Sequence, residues 1–471
     1  MKILLIQPPH YDGEKTRIPD CFPIGLGYIA SVLVKNKHNV DIFDIWAHQY
    51  TNDEVNEKLK ELSNYEIFGI TALSTQYAYV QWLTGLLKER YPASRIILGG
   101  PLATTNSDLV LGKTDVDICV IGEGEVTIID VLENIDQLNK VKGIYYKTKD
   151  KLIIKNLSRE PIKDIDLIEM PLYDTFSMDI YLKNTRVSHT DSYGAINVIA
   201  GRGCPFRCNF CSKSTEGTRV RNIYSILEEI KFLLNRYKIN QVVFLDELLI
   251  RNKKFAYELC EEIQPLNLKW SCQGRVNVVD LKLLKTMKKA GCQAIGYGIE
   301  SGSQRILDAM NKNCTVKINE EAINRTFEAG MIPIIQMMYG YPGEDEDSLF
   351  ETREFFRKVK CYMPELSITT PFPGTNLYDE AVKKGLIVDE ELYLLKLGGG
   401  YNHGREKPFF VNMTNWTDEE FIKKKRELEE LVRKDYDDYW KNNPVKNILR
   451  NIRTIGYRET IEKIMKKLFK H

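Results

Sequence analysis

Long apolar runs are missing from this 471-residue chain: no stretch approaches the ~20 apolar residues that a membrane-spanning helix needs. An excess of either charge is missing too. The net charge is +1, so nothing global points to a nucleic-acid partner. There is no internal repeat and no low-complexity tract, which excludes a repeat architecture. The opening residues, MKILLIQPPHYDGEK, lack the apolar core and small-residue cleavage site of a signal peptide and carry two prolines instead. A cytoplasmic protein is therefore expected. In that reducing compartment the ten cysteines are not read as a disulfide scaffold; bunched cysteines there bind metal or carry redox chemistry.

What is present is a long alternation of strand and helix. At ~100–200 residues per domain the length calls for two to four domains. Up to residue 140, the runs KILLIQ, Val40–Ile45, Ile67–Ser74, Arg95–Gly100 and Asp117–Gly124 read as buried strands. Amphipathic stretches such as Asp53–Leu62 and Tyr79–Tyr91 separate them, which predicts an α/β, Rossmann-like, doubly wound parallel sheet. Ligands of such sheets sit outside the carboxyl ends of the strands, here Gln7–Pro9, Ser74–Gln76, Gly99–Pro101 and Gly122–Glu125. Residues 141–190 read as a hairpin, Lys142–Lys155, followed by an irregular linker. From 191 to 385 six β/α units in a row predict a partial (β/α)6 barrel, and 386–471 reads as a small helical domain.

Three of the cysteines are bunched. GRGCPFRCNFCSKS, Gly201–Ser214, holds Cys204, Cys208 and Cys211 within eight residues, just after the strand INVIAG. The C-terminal end of a barrel strand is where such enzymes place their chemistry. Thiolates suit zinc or an iron–sulfur cluster. A structural zinc site wants four ligands, yet no histidine or fourth cysteine stands nearby, and Cys260 falls inside an expected helix. Zinc would need a distant fourth residue. Three ligands on a four-iron cluster would instead leave one iron open to a substrate or cofactor. Cys260, Cys272, Cys292, Cys314 and Cys361 are expected to pack as small buried hydrophobes.

With Phe210 before its third cysteine, this CxxxCxxC loop resembles that of the radical S-adenosylmethionine (SAM) enzymes. FLDE (Phe244–Glu247), GRVN (Gly274–Asn277), GIESGS (Gly298–Ser303), GYPGE (Gly340–Glu344) and PFPGT (Pro371–Thr375) stand where that superfamily has similar strand-end motifs. The resemblance implies a [4Fe-4S] cluster on Cys204, Cys208 and Cys211 whose open iron chelates the amino and carboxylate groups of SAM. Reductive cleavage of SAM then yields a 5′-deoxyadenosyl radical that abstracts a substrate hydrogen. For SAM it further implies contacts from Phe210, a carboxylate near the ammonium from Asp246 or Glu247, and polar partners in Gln273, Arg275 and Glu300.

The first domain looks like the cobalamin-binding domain of cobalamin-dependent radical SAM enzymes, among them the class B radical SAM methylases. MKILLIQPP, PIGLGYIA (Pro23–Ala30), GGPLAT (Gly99–Thr104) and IGEGEVT (Ile121–Thr127) carry that likeness. It implies cobalamin contacts from Pro9, from Ser74, Thr75 and Gln76, from Gly99, Gly100 and Pro101, and from Gly122, Glu123, Gly124 and Glu125. His10, His38 and His48 all lack an Asp-x-His-x-x-Gly context. No histidine is therefore expected beneath the cobalt, and Ser74–Tyr77 becomes the floor under the corrin. Leu102 stands where family members often have histidine.

The implied reaction is transfer of a methyl group from SAM, by way of methylcobalamin, to an unactivated carbon. A cobalamin-dependent cyclase, oxidase or ring-rearranging enzyme shares every one of these motifs, and a non-catalytic iron–sulfur or cobalamin sensor is the reading outside catalysis. Expected partners are a small-molecule or lipid-like substrate and an electron donor such as flavodoxin or ferredoxin, with no nucleic acid. The tail Lys441–His471 has nine Lys or Arg against two Glu, with isoleucines interleaved. It reads as a helix packed on the barrel, or as a peripheral membrane contact that would favour a lipid. Gly398–Gly404 (GGGYNHG) reads as a break and a mobile segment near the substrate.

Overall fold

The computed structural model describes residues 1–10, 18–187, 193–213, 215, 217–361, 366–400, 411–455 and 460–461. They fall into two units. One is Met1–Thr185, Ser212–Asn222 and Phe372–Phe410; the other is Arg186–Cys211, Ile223–Pro371 and Val411–His471. These limits cut the chain elsewhere than at 140, 190 and 385.

In the first unit the strands are β1 (Lys2–Gln7), β2 (Asn39–Asp44), β3 (Ile67–Thr71), β4 (Arg95–Gly99) and β5 (Ile118–Val120); β1, β3, β4 and β5 are apolar runs buried on both faces, and β2, at the sheet edge, is partly exposed. Ile3, Leu4, Leu5 and Ile6 of β1 are all buried. The hairpin Ile144–Lys147 (β6) and Ile153–Lys155 (β7) then pairs antiparallel to β5, giving a seven-stranded sheet in the order β2-β1-β3-β4-β5-β6-β7. The hairpin therefore extends the first sheet. The order 2-1-3-4-5 reverses between β1 and β3, the point at which doubly wound sheets hold ligands. The stretch after Leu157 is less irregular than expected, because it forms the helix Met178–Asn184. Tyr181 of that helix donates to Asp44 at 2.6 Å and packs edge-on against Phe22, whose ring also meets Tyr173 and Phe176.

In the second unit, six parallel strands stand side by side in chain order: Ala195–Val198, Gln241–Phe244, Lys269–Gln273, Cys292–Glu300, Ile332–Tyr339 and Ser367–Ile368. Helices Ile223–Tyr237, Lys253–Ile263, Leu281–Lys289, Val316–Glu328 and Glu346–Val359 connect them, the open (β/α)6 arrangement expected. The helix starts are chemically marked: Asn252, Asp280, Thr315 and Asp345 each accept a first-turn N–H. The helix Asp418–Asn442 is fastened by the bidentate pair Arg353–Asp435 and by Tyr339, whose hydroxyl donates to the Phe421 carbonyl at 2.7 Å.

Of the basic tail, Pro444–Ile455 is a helix whose Arg450 lies over the rings of Phe327 and Trp440, while Val445 and Leu449 are exposed. Residues 456–459 and 462–471 lie outside the described residues. No helix among the described residues is long and apolar enough to cross a membrane. Gly398–Gly400, expected as a break, ends the helix Glu390–Gly400, and 401–404 lie outside the described residues.

Candidate active site

The cysteine loop leaves the strand Ala195–Val198 and turns at Gly203, whose φ of 78° lies in the left-handed region. The Cys211 N–H donates to the Cys208 carbonyl at 3.2 Å. Burial of its sulfur, then the charges of Cys208, Glu247 and Cys204, push the Cys211 thiol up to about 11, with Lys312 opposing them. This holds although the residue as a whole is exposed. The three thiols thus share one neighbourhood, with an acid and a base beside it. Among the described residues no three such donors converge closely enough to hold a single metal ion.

The two acids of FLDE part company. Asp246 is fully buried; it accepts the Ala200 N–H at 2.9 Å and lies 3.6 Å from Arg251. Burial pushes its carboxyl up to about 6, the Ala200 N–H and Arg251 pulling the other way. It fastens the base of the cysteine loop. Glu247, the next residue in the same loop past the strand, is exposed and acts on Cys211.

Gly296 and Gly298 clear the inner face of their strand. A Cβ on Gly296 would collide with the Gln273 amide, and one on Gly298 with Glu300 and Lys312. Glu300 sits at φ 65°, a strained conformation for a non-glycine residue that costs of order 1–3 kcal/mol and clusters at functional sites. Its carboxylate pairs with Lys312 at 2.6 Å. Arg275 is held by protein groups: its guanidinium lies 3.4 Å from the Phe206 ring centroid and donates to the carbonyls of Lys312 and Asn313. Glu344 of GYPGE is buried and accepts the Gly340 N–H at 2.7 Å.

At the strand ends of the first unit, Gln76 spans the reversal between β1 and β3. Its Nε2 donates to Pro8 and Pro9 carbonyls at 3.2 and 2.8 Å, and its Oε1 accepts the Leu73 N–H at 2.7 Å. Ser74 is buried beside it, and Thr75 is half-buried. Gly100, at φ 84°, precedes the helix that Pro101 opens. Beyond Gly99 and Gly122 a Cβ would meet open space, so this edge has room for a ligand. Gly124 closes against Ile29, and Glu125 is buried. Leu102 lies in the core.

Glu123 is engaged within the protein. Both its oxygens accept from Arg219 at 2.8 Å, and one also accepts the Ile162 N–H at 2.7 Å. Its side chain is only 6% exposed. The ion pair fastens Ser212–Asn222 to this sheet.

A model of the radical SAM superfamily matches residues 198–356, and one of the B12 binding domain matches residues 16–132. Over 399 residues the chain is 31% identical to the uncharacterized methyltransferase PH0819 of Pyrococcus horikoshii, which covers 82% of this chain and 84% of that protein. The chain belongs to the cobalamin-dependent radical SAM enzymes.

The cofactors of these enzymes are a [4Fe-4S] cluster, SAM and cobalamin. Three neighbouring thiols fit the cluster, the polar groups of Gln273 and Glu300 set against Gly296 and Gly298 fit SAM, and the open edge at Gly99 and Gly122 fits cobalamin. The chain is also 29% identical over 410 residues to the anaerobic magnesium-protoporphyrin IX monomethyl ester cyclase of Rubrivivax gelatinosus, covering 83% of this chain and 72% of that one. Its fold is that of the radical SAM methyltransferase TsrM of Kitasatospora setae, solved with cobalamin and a [4Fe-4S] cluster bound. The TM-score is 0.67 at 15% identity, over 81% of this chain and 78% of that one.

Sequence reading missed Lys312, which lies in none of the motifs, and missed the return of the chain after the barrel to the first unit. There Glu391 accepts from Tyr77 and Gln81 at 3.2 and 3.3 Å and pairs with Lys113 at 3.1 Å, bracing the helix that follows Ser74–Gln76.

Burial pushes the Glu344 carboxyl up to about 8. The folded protein therefore holds this proton more tightly than the unfolded chain does. The resulting stability is complete below about 4.5, the ordinary carboxyl value, and is lost progressively as pH rises from there to about 8. Thermal midpoints measured from pH 6 to 9 should fall more steeply in the wild type than in Glu344→Gln; parallel curves would refute the shift.

Proposed function

We propose that this enzyme is a C-methyltransferase that moves a methyl group from SAM to an unactivated carbon of a small-molecule or lipid-like substrate, working in the cytoplasm with flavodoxin or ferredoxin as electron donor. What carries the reading is the match to a methyltransferase over most of both chains. When bound, the three groups supply reductive cleavage of SAM and carriage of its methyl group. The protein's part is to hold them. Cys204, Cys208 and Cys211 ligate the cluster. Phe210, Glu247, Gln273 and Glu300 receive SAM, while Asp246 and Arg275 keep the surrounding loops in place. Pro9, the loop Ser74–Gln76, Gly99–Pro101 and the Gly122–Glu125 turn receive cobalamin, with Glu123 latching that turn from behind. No histidine stands in an Asp-x-His-x-x-Gly context, and the Ser74–Gln76 loop would pack against the corrin when cobalamin is bound.

The cyclase relative supports a second reading in which no methyl group is transferred. Anaerobic reconstitution with iron, sulfide and cobalamin, followed by SAM and a strong reductant, separates the two. We expect a burst of S-adenosylhomocysteine stoichiometric with bound cobalamin, alongside 5′-deoxyadenosine. Deoxyadenosine without that burst would overturn methyl transfer in favour of the cyclase-like reading.

A further inference from the structure

Lys312 follows the helix Gln304–Ala309, between Asn311 and Asn313, whose φ values of 53° and 54° make a tight left-handed loop. That loop is bound to the cysteine loop. The Asn209 N–H and side-chain amide donate to the carbonyls of Met310 and Ala309 at 3.0 and 2.9 Å. Asn311 returns a bond to the Arg207 carbonyl at 2.7 Å. Arg275 and Asn277 hold the carbonyls of Lys312 and Asn313 from the other side.

The ammonium is correspondingly confined. Its side chain is 12% exposed, its Nζ is 2.6 Å from Glu300 Oε1 and 5.7 Å from the Phe210 ring centroid, within cation–π reach. The pair is seated against Gly298, where a Cβ would press on the Glu300 carboxylate and the Lys312 ammonium. Burial works against the charge, but Glu300 and Cys208 more than offset it, and the lysine stays a cation. Charges in such a setting are poorly screened, so this one acts strongly on its neighbours.

We propose that Lys312 is a positioning residue of the cysteine site: its buried ammonium fixes the Glu300 carboxylate on the inner face of the barrel and supplies a standing positive charge that favours the reduced state of the cluster. The proposal rests on Cys204, Cys208 and Cys211 being the cluster ligands, and iron content tests that separately. Removing a neighbouring cation disfavours added negative charge, so Lys312→Met in the reconstituted holoprotein should bind as much iron as wild type but show a more negative midpoint potential. Its SAM dissociation constant should rise at least about tenfold, the scale of losing one buried ionic partner. Lys312→Arg should stay near wild type in both.

Glu300→Gln, nearly isosteric, removes the countercharge and should move the potential the opposite way, which a merely structural role would not do. It also serves if Lys312→Met does not fold. Unchanged potentials in the variants, or shifts of the same sign, overturn the proposal. A wild-type protein that takes up no iron overturns the cluster reading and this proposal with it.

Discussion

Cys208→Ala abolishes SAM cleavage and leaves cobalamin binding at the wild-type level: this is the expected result when one thiolate of three is removed. Two cysteines cannot hold the cluster, and without it no electron reaches the sulfonium. Cys208 is only half-buried, so its loss opens no core cavity, unlike truncation of the buried Cys272 or Cys292. The strand ends of the first unit owe none of their hydrogen bonds to it; Gln76 still bridges Pro8, Pro9 and Leu73. The measurement is 5′-deoxyadenosine plus S-adenosylhomocysteine under strong reductant, set beside the cobalamin absorbance of the same sample. Deoxyadenosine at wild-type yield would sink the cluster assignment.

The strands and most helices were legible because burial and capping are local signals. KILLIQ reads as a strand from its own apolar residues, and the β/α units from 191 to 385 follow from the same local patterning, while the structure shows Asn252 and Asp280 capping helices within one turn. The cysteine spacing was legible for the same reason. Legibility ended where a partner lies far along the chain. Glu123 looked like a ligand residue in a glycine-rich turn, but its partner Arg219 stands 96 positions away, and no local pattern announces the pair. Asp246 and Glu247 were equivalent as letters. They lie in the loop beyond Phe244, and only the path of that loop sends one to the Ala200 backbone and the other towards the thiols. The hairpin was visible, but not its pairing with β5, because an edge strand carries no signature of its neighbour. Lys312 escaped because a lysine among asparagines reads as a solvated loop until Glu300 and Gly298 are placed beside it.

Gly100→Ala should cost the enzyme its cobalamin while sparing SAM cleavage. Gly100 has φ 84° and ψ −173°, a region essentially reserved for glycine, so alanine there costs of order 1–3 kcal/mol. Sterics add to this. The new Cβ would lie 2.8 Å from Thr71 Oγ1 and 2.9 Å from the Ala72 carbonyl, and backbone cannot swing aside as a flexible side chain does. Relief requires moving the end of β3 or the start of the helix Pro101–Lys113, which are joined through Ala72: its N–H donates to Gly99 and its carbonyl accepts from Leu102. Either movement distorts the loops on which cobalamin is proposed to sit. Gly112→Ala is the matched control, since a Cβ there meets nothing within 4 Å and alanine is the better helix former by up to about 1 kcal/mol. Cobalamin retention after reconstitution, read by absorbance with the thermal midpoint as a check on folding, should fall only in Gly100→Ala. In that variant the S-adenosylhomocysteine burst should vanish while 5′-deoxyadenosine persists. Undiminished cobalamin affinity would place the corrin away from this strand end.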